Sequence, residues 1–105
     1  MPIPLRCVYA DVDRVLRDEL GARALEACRR ADVEVVVIGT EAVAQELGLR
    51  SWIDGEGLVL DGERQDADDP VAAHMRARGY TTEETIRVDE GSFYEAVITE
   101  LMTRR

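Results

Sequence analysis

Apolar residues along the chain fall into short runs that alternate with segments of helical spacing. Residues 7–10 and 35–38 are rich in strand formers, long enough for buried strands and too short for helices. Between them, residues 17–31 carry apolar side chains at helical spacing, which predicts one amphipathic helix that Gly21 either begins or weakens locally. Residues 41–47 predict a second, shorter helix that Gly48 ends.

The middle of the chain continues this alternation. Residues 51–53 predict a short strand, and residues 57–62 predict another that is bounded by glycines, as one arm of a small hairpin. Asp69 and Pro70 suit the N-cap and first position of a helix, which Gly79 then ends.

The carboxyl-terminal third predicts a further strand over residues 84–88 and a last helix. Ser92, with Glu95 three residues later, forms a capping box at the start of that helix. Its apolar face is predicted to bury five side chains: Phe93, Val97, Ile98, Leu101 and Met102. The alternation of strands and helices predicts an α/β fold, a three-layer α/β/α arrangement with a small, mostly parallel sheet in one domain over residues 1–105.

The charge of the chain limits its partners. It carries 22 acidic residues against 13 basic ones, a net charge of -9, so we expect no nucleic-acid partner. All 13 basic residues are arginine. No apolar run approaches bilayer length, so no membrane partner is expected. Without a signal-peptide pattern, and with Cys7 and Cys28 as small buried hydrophobes, the chain is expected in the cytoplasm.

Two acids follow the first strand directly. If the strand continues to Asp13, alternation places Asp11 and Asp13 on one side. Two carboxylates about 5 Å apart repel by roughly 3 kcal/mol at an effective dielectric near 20, so a cation, a shared proton or full solvation must compensate. Thr40 and the pair Asp89 and Glu90 follow the other strands, and parallel strands would bring all of them to one edge.

Residues 7–16, which end in Asp-Val-Asp-Arg-Val-Leu, resemble the first motif of the haloacid dehalogenase (HAD) superfamily, an apolar strand followed by Asp-x-Asp-Gly-Thr/Val-Leu. The resemblance implies a HAD-like (Rossmannoid) core without a large cap. It implies Asp11 as nucleophile, Asp13 as general acid/base and Mg²⁺ held between them. Arg14 occupies the family's glycine position, and because the chain lacks lysine, a cationic contact to substrate falls to arginine, for which Arg14 is the expected residue.

Two further positions extend the resemblance. Thr40 resembles the family's second motif, a Thr or Ser that hydrogen-bonds the phosphoryl group; its alternative role is a helix N-cap. Asp89 and Glu90 stand where the last motif supplies acids to Mg²⁺, although acids before a helix are also favoured by its dipole. The family places a Lys or Arg near the helix that starts after residue 69, where this chain has acids.

Three functions remain open. The first is a Mg²⁺-dependent phosphohydrolase acting on a small phosphorylated metabolite. The second is a HAD-like pseudoenzyme that binds or assembles with a protein partner, which Arg14, the missing lysine and the short chain favour. The third is an unrelated α/β interaction domain. An exposed sheet edge would also permit a homodimer.

The remaining polar and aromatic residues predict no site. The single histidine, His74, lies in a predicted helix and is interpreted as a surface or packing residue. The acidic residues between 54 and 69 indicate a solvated loop, and Trp52 indicates a core position.

Overall fold

The structure, a computed structural model that describes residues 3–104, is an α/β domain built on a six-stranded mixed sheet. Its strands are β1 (Cys7–Asp11), β2 (Glu34–Ile38), β3 (Trp52–Asp54), β4 (Gly57–Leu60), β5 (Glu63–Gln65) and β6 (Thr85–Val88). Its helices are α1 (Val12–Arg17), α2 (Gly21–Arg30), α3 (Glu41–Glu46), α4 (Pro70–Arg78) and α5 (Phe93–Thr103). The α/β prediction is confirmed.

The sheet has the strand order β5-β4-β3-β2-β1-β6. Strands β3, β2, β1 and β6 run parallel, whereas β4 and β5 are joined to them as antiparallel hairpins. The sheet is therefore mixed, because residues 55–65 fold back twice through tight turns instead of crossing over a face of the sheet. The predicted hairpin arm at residues 57–62 corresponds to β4 and its turn.

Apolar side chains pack on both faces of the sheet. Val8 and Ala10 of β1 belong to a cluster that includes residues of α2 and α5. Cys7 and Tyr9, which alternate with them, belong to a second cluster that packs against α4 and Tyr80. This alternation follows from the period of two in a strand, and it explains why the central strands are apolar on both sides.

The helix predicted over residues 17–31 is present as α2, and Gly21 begins it; residues 18–20 instead form a break that separates α2 from α1, a helix that the sequence did not predict. In the break, the Asp18 carboxylate accepts hydrogen bonds from the backbone N–H of Leu20 and, across the fold, from Ser92 Oγ and the Tyr94 N–H. Gly21 then begins α2 so close to α1 that a Cβ there would lie 2.4 Å from the backbone oxygen of Val15.

The last helix also departs from its prediction at one position. Met102 is 66% exposed, whereas Phe93 and Val97 are fully buried. Nine residues separate Met102 from Phe93, which places them on opposite sides of a helix at about 100° per residue. Ser92 caps the helix as predicted, since its Oγ accepts from the Glu95 N–H.

Other local predictions are confirmed. The Asp69 carboxylate accepts from the N–H of Ala72 at the start of α4, and Gly79 ends that helix with φ 76°. Cys7, Cys28 and Trp52 are buried. Of the helices described for residues 3–104, none has the length and apolar character that crossing a membrane requires.

Candidate functional site

The carboxyl ends of the parallel strands bring the sequence-predicted residues to one edge of the sheet. Asp11 is in register with Ile38 of β2, two residues before Thr40. Ala10 is in register with Val88 of β6, so Asp89 follows at the same level as Asp11. We call this the carboxyl edge, and its predicted members are Asp11, Asp13, Arg14, Thr40, Asp89 and Glu90.

Asp11 serves as the N-cap of α1. The strand ends at Asp11 and the helix begins at Val12, so alternation does not extend to Asp13 as the sequence had suggested. Instead, Asp11 Oδ1 accepts a hydrogen bond of 3.1 Å from the backbone N–H of Asp13. Both side chains are exposed. An N-cap carboxylate satisfies one of the free amides in the first turn, which gives Asp11 a structural role in this structure.

The other predicted residues lie around Asp11 without converging on it. Thr40 occupies the N-cap position of α3, but within residues 3–104 its side chain makes no capping hydrogen bond. Arg14 lines a recess beside Arg17 and the start of α5. Asp89 and Glu90 are exposed in the loop before α5.

The carboxyl edge is nevertheless packed tightly beneath its acids. Gly39, which follows β2, contacts Val12 so closely that a Cβ on the glycine would lie 2.4 Å from Val12 Cγ1. Because any larger residue would displace the first turn of α1, this contact fixes the distance between the ends of β1 and β2.

A second set of polar residues, which sequence reasoning missed, lies at the opposite end of the parallel strands. We call it the amino-edge network. At its centre is Glu34, the first residue of β2, whose carboxylate receives hydrogen bonds from side chains of α4 and the residues after it. His74 Nε2 lies 3.0 Å from Glu34 Oε2, and Tyr80 donates its hydroxyl to Oε1 at 3.0 Å. Arg78 donates to both oxygens, at 3.0 and 3.2 Å.

Arg78 joins this network to the β4–β5 turn. Its guanidinium donates two further hydrogen bonds to the carboxylate of Asp61, at 2.7 and 2.8 Å. Two bidentate pairs on one guanidinium fix its plane and use four of its five N–H donors. Hydrogen bonds from Arg78 are also the main reason that the pKa of Asp61 is lowered.

His74 is fully buried between Glu34 and a residue of β1. The hydroxyl of Tyr9 lies 2.7 Å from His74 Nδ1. Because an ionised Glu34 can only accept, His74 Nε2 carries the proton on that side, and in the neutral imidazole Nδ1 accepts from the Tyr9 hydroxyl. His74 is thus a packing residue, as one of the two sequence interpretations had it, and it also orients its neighbours through both ring nitrogens.

Glu34 remains ionised in this setting. Burial on its own raises the pKa of a carboxylate, but the hydrogen bonds from His74 and Arg78 outweigh burial and lower the pKa of Glu34 to about 2. Burial and the neighbouring negative charge of Glu34 raise the pKa of the Cys7 thiol to about 12. The network therefore holds a carboxylate beside a neutral thiol.

The same residues include the one group of potential metal ligands found within residues 3–104. Ligand atoms of Cys7, Glu34 and His74 all lie within 4.8 Å of one another. Both ring nitrogens of His74 and both oxygens of Glu34 already have hydrogen-bond partners, and the Cys7 thiol is protonated at neutral pH. These contacts fit a hydrogen-bonded structural network better than a metal centre.

The acids of the carboxyl edge do not form such a group. Mg²⁺ binding by Asp11, Asp13, Asp89 and Glu90 therefore remains a prediction from the sequence.

A recess of about 420 Å³ opens beside the amino-edge network. Glu34, Ser51, Asp61 and Tyr80 form part of its lining. The buried Ser51 Oγ accepts from the N–H of Asp61 and so ties the β4–β5 turn to the start of β3. The polar floor of the recess is thereby held by hydrogen bonds within the fold.

One sequence signal could have pointed to this network. His74 and Arg78 are four residues apart in α4 and share a face with Val71, so a histidine and an arginine are directed to the side that also carries apolar residues. Comparisons of the chain with family models, with curated proteins and with solved structures found no significant match.

Proposed function

We propose that the chain is a HAD-like (Rossmannoid) domain that no longer hydrolyses phosphate esters and acts as a binding or assembly module. Two features support the HAD-like part of the proposal. The strand that carries Asp-x-Asp lies between two parallel neighbours, β2 and β6. Helices pack on both faces of the sheet, as a three-layer α/β/α core requires.

The use of Asp11 is the observation that carries the loss of catalysis. A nucleophilic carboxylate must turn one oxygen towards phosphorus, and only Oδ2 of Asp11 is available for this, because Oδ1 accepts the Asp13 N–H at the cap of α1. The acids expected to share a cation with it do not form a group of three or more potential ligands within residues 3–104.

Local charge supports the same proposal. Four acids and no lysine surround the carboxyl edge, and α4 begins with Asp69 and Pro70 where the resembled family places a cation. Arg14 is half-buried in the recess near Arg17 and Ser92. Exposed carboxylates without a compensating cation repel a phosphate dianion, which disfavours substrate approach.

A turnover assay tests the proposal. The intact chain is incubated with p-nitrophenyl phosphate and a panel of phosphorylated metabolites in millimolar Mg²⁺, beside Asp11→Asn as a matched variant that keeps the cap. We expect phosphate release by the two proteins to be equal and at the level of buffer. Turnover by the wild type that Asp11→Asn abolishes would contradict the proposal.

The second candidate function is an active Mg²⁺-dependent phosphohydrolase. The strand register favours it, because Asp11, Thr40 and Asp89 all follow neighbouring strand ends. A rotation of the Asp11 side chain would release its oxygen from the cap. The assay above separates the two candidates.

Assembly, if it occurs, has a defined place in the fold. Strands β5 and β6 are the two edges of the sheet. All three residues of β5 are exposed and two of them are charged, which protects that edge against pairing, whereas only one of the four residues of β6 is exposed and only one is charged. A homodimer would therefore pair β6 with its copy, and analytical ultracentrifugation of the chain measures whether it forms.

A further inference from the structure

We infer that the recess at the amino edge binds a small organic anion, a carboxylate or phosphate group carried on an apolar body. Its volume of about 420 Å³ falls in the range of small-molecule sites. It lies at the end of the sheet opposite Asp11, so the inference does not depend on whether the carboxyl edge is catalytic.

Three arginines supply positive charge around the recess: Arg6, Arg29 and Arg50. Arg6 and Arg29 approach Glu84 and Glu26 at 3.5 Å, and both arginines are largely exposed, so these ion pairs are weak. Arg50 has neither an ion pair nor a side-chain hydrogen bond among residues 3–104. In a chain of net charge -9, a guanidinium without a carboxylate partner is free to pair with an added anion.

The acids of the recess do not cancel this charge. Arg78 already neutralises much of Glu34 and Asp61 through its two bidentate contacts. Asp32 is the remaining acid of the lining, and it is exposed at the end of α2. The lining thus holds three arginines and three acids, and Arg78 behind the floor pairs with two of those acids, so the recess lacks the acidic excess of the whole chain.

Part of the lining is apolar. Leu25, Leu47 and Leu49 are half-buried and project from α2 and from the segment after α3. Leucines beside free guanidinium groups match a ligand with an anionic head and an apolar body, because the body removes leucine surface from water while the head pairs with arginine. The hydrogen-bonded floor keeps the recess formed without ligand, which lowers the ordering cost of binding.

Heteronuclear NMR titration of the intact chain tests the inference. The probes are phenyl phosphate and phenylacetate as the two anionic heads, inorganic phosphate as the head alone, and benzylamine as the body with the opposite charge. We expect phenyl phosphate or phenylacetate to shift the NMR signals of the backbone amides of residues 47–51. The probe that binds more tightly identifies the preferred anionic group. We expect inorganic phosphate and benzylamine to bind more weakly.

Two charge-matched variants make the titration specific. Arg50→Gln removes the free guanidinium, and Arg23→Gln removes an exposed arginine of α2 that does not line the recess. We expect Arg50→Gln to weaken binding of the anion about tenfold and Arg23→Gln to leave its affinity within about twofold of the wild type. No binding of either phenyl anion at millimolar concentration, equal weakening by the two variants, or equal binding of benzylamine would overturn the inference.

Discussion

The two ends of the parallel strands hold their charged side chains in opposite ways. At the carboxyl edge, Asp11, Asp13, Asp89 and Glu90 are exposed, and within residues 3–104 the side chain of Asp11 makes one hydrogen bond, to the first turn of its own helix. At the amino edge, Glu34 accepts from three side chains that are 40 to 46 residues away in the sequence. Long-range polar contacts fix α4 and the β4–β5 turn relative to β2, whereas the exposed acids of the carboxyl edge make no side-chain contact of this kind within residues 3–104.

The difference predicts which substitutions destabilise this domain and which do not. A buried ionic network is costly to break, because each remaining partner is left without its counter-charge. A solvated acid is cheap to replace. Loss of a catalytic function at the carboxyl edge would therefore leave folding intact, which accords with the proposal that the resembled active site has degenerated.

The largest expected effect is at the centre of the amino-edge network. Glu34→Gln keeps the shape of the side chain but leaves Arg78 and His74 without their carboxylate, so we expect the free energy of unfolding to fall by about 3 kcal/mol. Asp13 is an exposed acid of the carboxyl edge, so Asp13→Asn serves as the matched control. This substitution should change the free energy of unfolding by about 0.5 kcal/mol or less. Urea unfolding of both variants measures the two losses of stability, and equal losses would contradict the expected difference between the two edges.

Acid pH should remove the contribution of the same network to stability. Because the pKa of Glu34 is about 2 in the folded chain against 4.5 ordinarily, the folded state favours the ionised form. Its contribution, about 3 kcal/mol, is complete above pH 4.5 and is lost as the pH falls towards 2. We expect the pH dependence of wild-type unfolding to exceed that of Glu34→Gln in this window.

The Asp54–Arg64 pair provides a control for that comparison. Hydrogen bonds from Arg64 are the main reason that the pKa of Asp54 is lowered to about 2, so its pH dependence overlaps that of Glu34. The pH dependence that Asp54 contributes should remain in Glu34→Gln. If the free energies of unfolding of the two proteins fall in parallel between pH 4.5 and 2, the network does not lower the pKa of Glu34.

A smaller effect is expected at Asp11. Asp11→Ala removes the N-cap of α1 and should lower the free energy of unfolding by about 1 kcal/mol, whereas Asp11→Asn keeps a capping oxygen and should be close to neutral. Thermal unfolding of both variants checks this ranking. A large loss with Asp11→Asn would show that the carboxylate charge, and not the cap, is what the fold requires.

The smallest effect tests the rim of the amino-edge recess. Asp32 has φ 60° just after α2, in the left-handed region where glycine is favoured, as Gly48 has φ 74° after α3. Asp32→Gly should therefore stabilise the chain by about 0.5 kcal/mol, whereas Gly48→Ala should destabilise it by about 1 kcal/mol. Calorimetry of the two variants measures both signs, and destabilisation by Asp32→Gly would show that its carboxylate contributes to folding.

The sequence was informative where structure is local. The apolar runs predicted β1 and β2, and Asp69, Pro70 and Gly79 predicted the ends of α4, because strand burial and helix caps depend on adjacent residues. The start of α2 at Gly21 was one of two alternatives, whereas α1 was not predicted, and the break between the two helices includes a hydrogen bond from Ser92 to Asp18, which is 74 residues away.

The amino-edge network was missed for the same physical reason. Glu34 was assigned no role, and His74 was interpreted as a surface or packing residue, since the spacing of residues along the chain does not reveal partners 40 residues apart. Conversely, the acids of the carboxyl edge stood out in the sequence because two of them are two residues apart, although the structure leaves them exposed.

Thermal unfolding of the wild type and Asp11→Asn across a Mg²⁺ titration tests the contrast between the two edges most directly. A cation held at about ten to a hundred times its dissociation constant would add about 1.4 to 2.7 kcal/mol, several degrees in a domain of this size. We predict that millimolar Mg²⁺ shifts neither protein, because the acids of the carboxyl edge do not converge. A shift of several degrees that Asp11→Asn abolishes would contradict the account and restore the carboxyl edge as a metal-dependent active site.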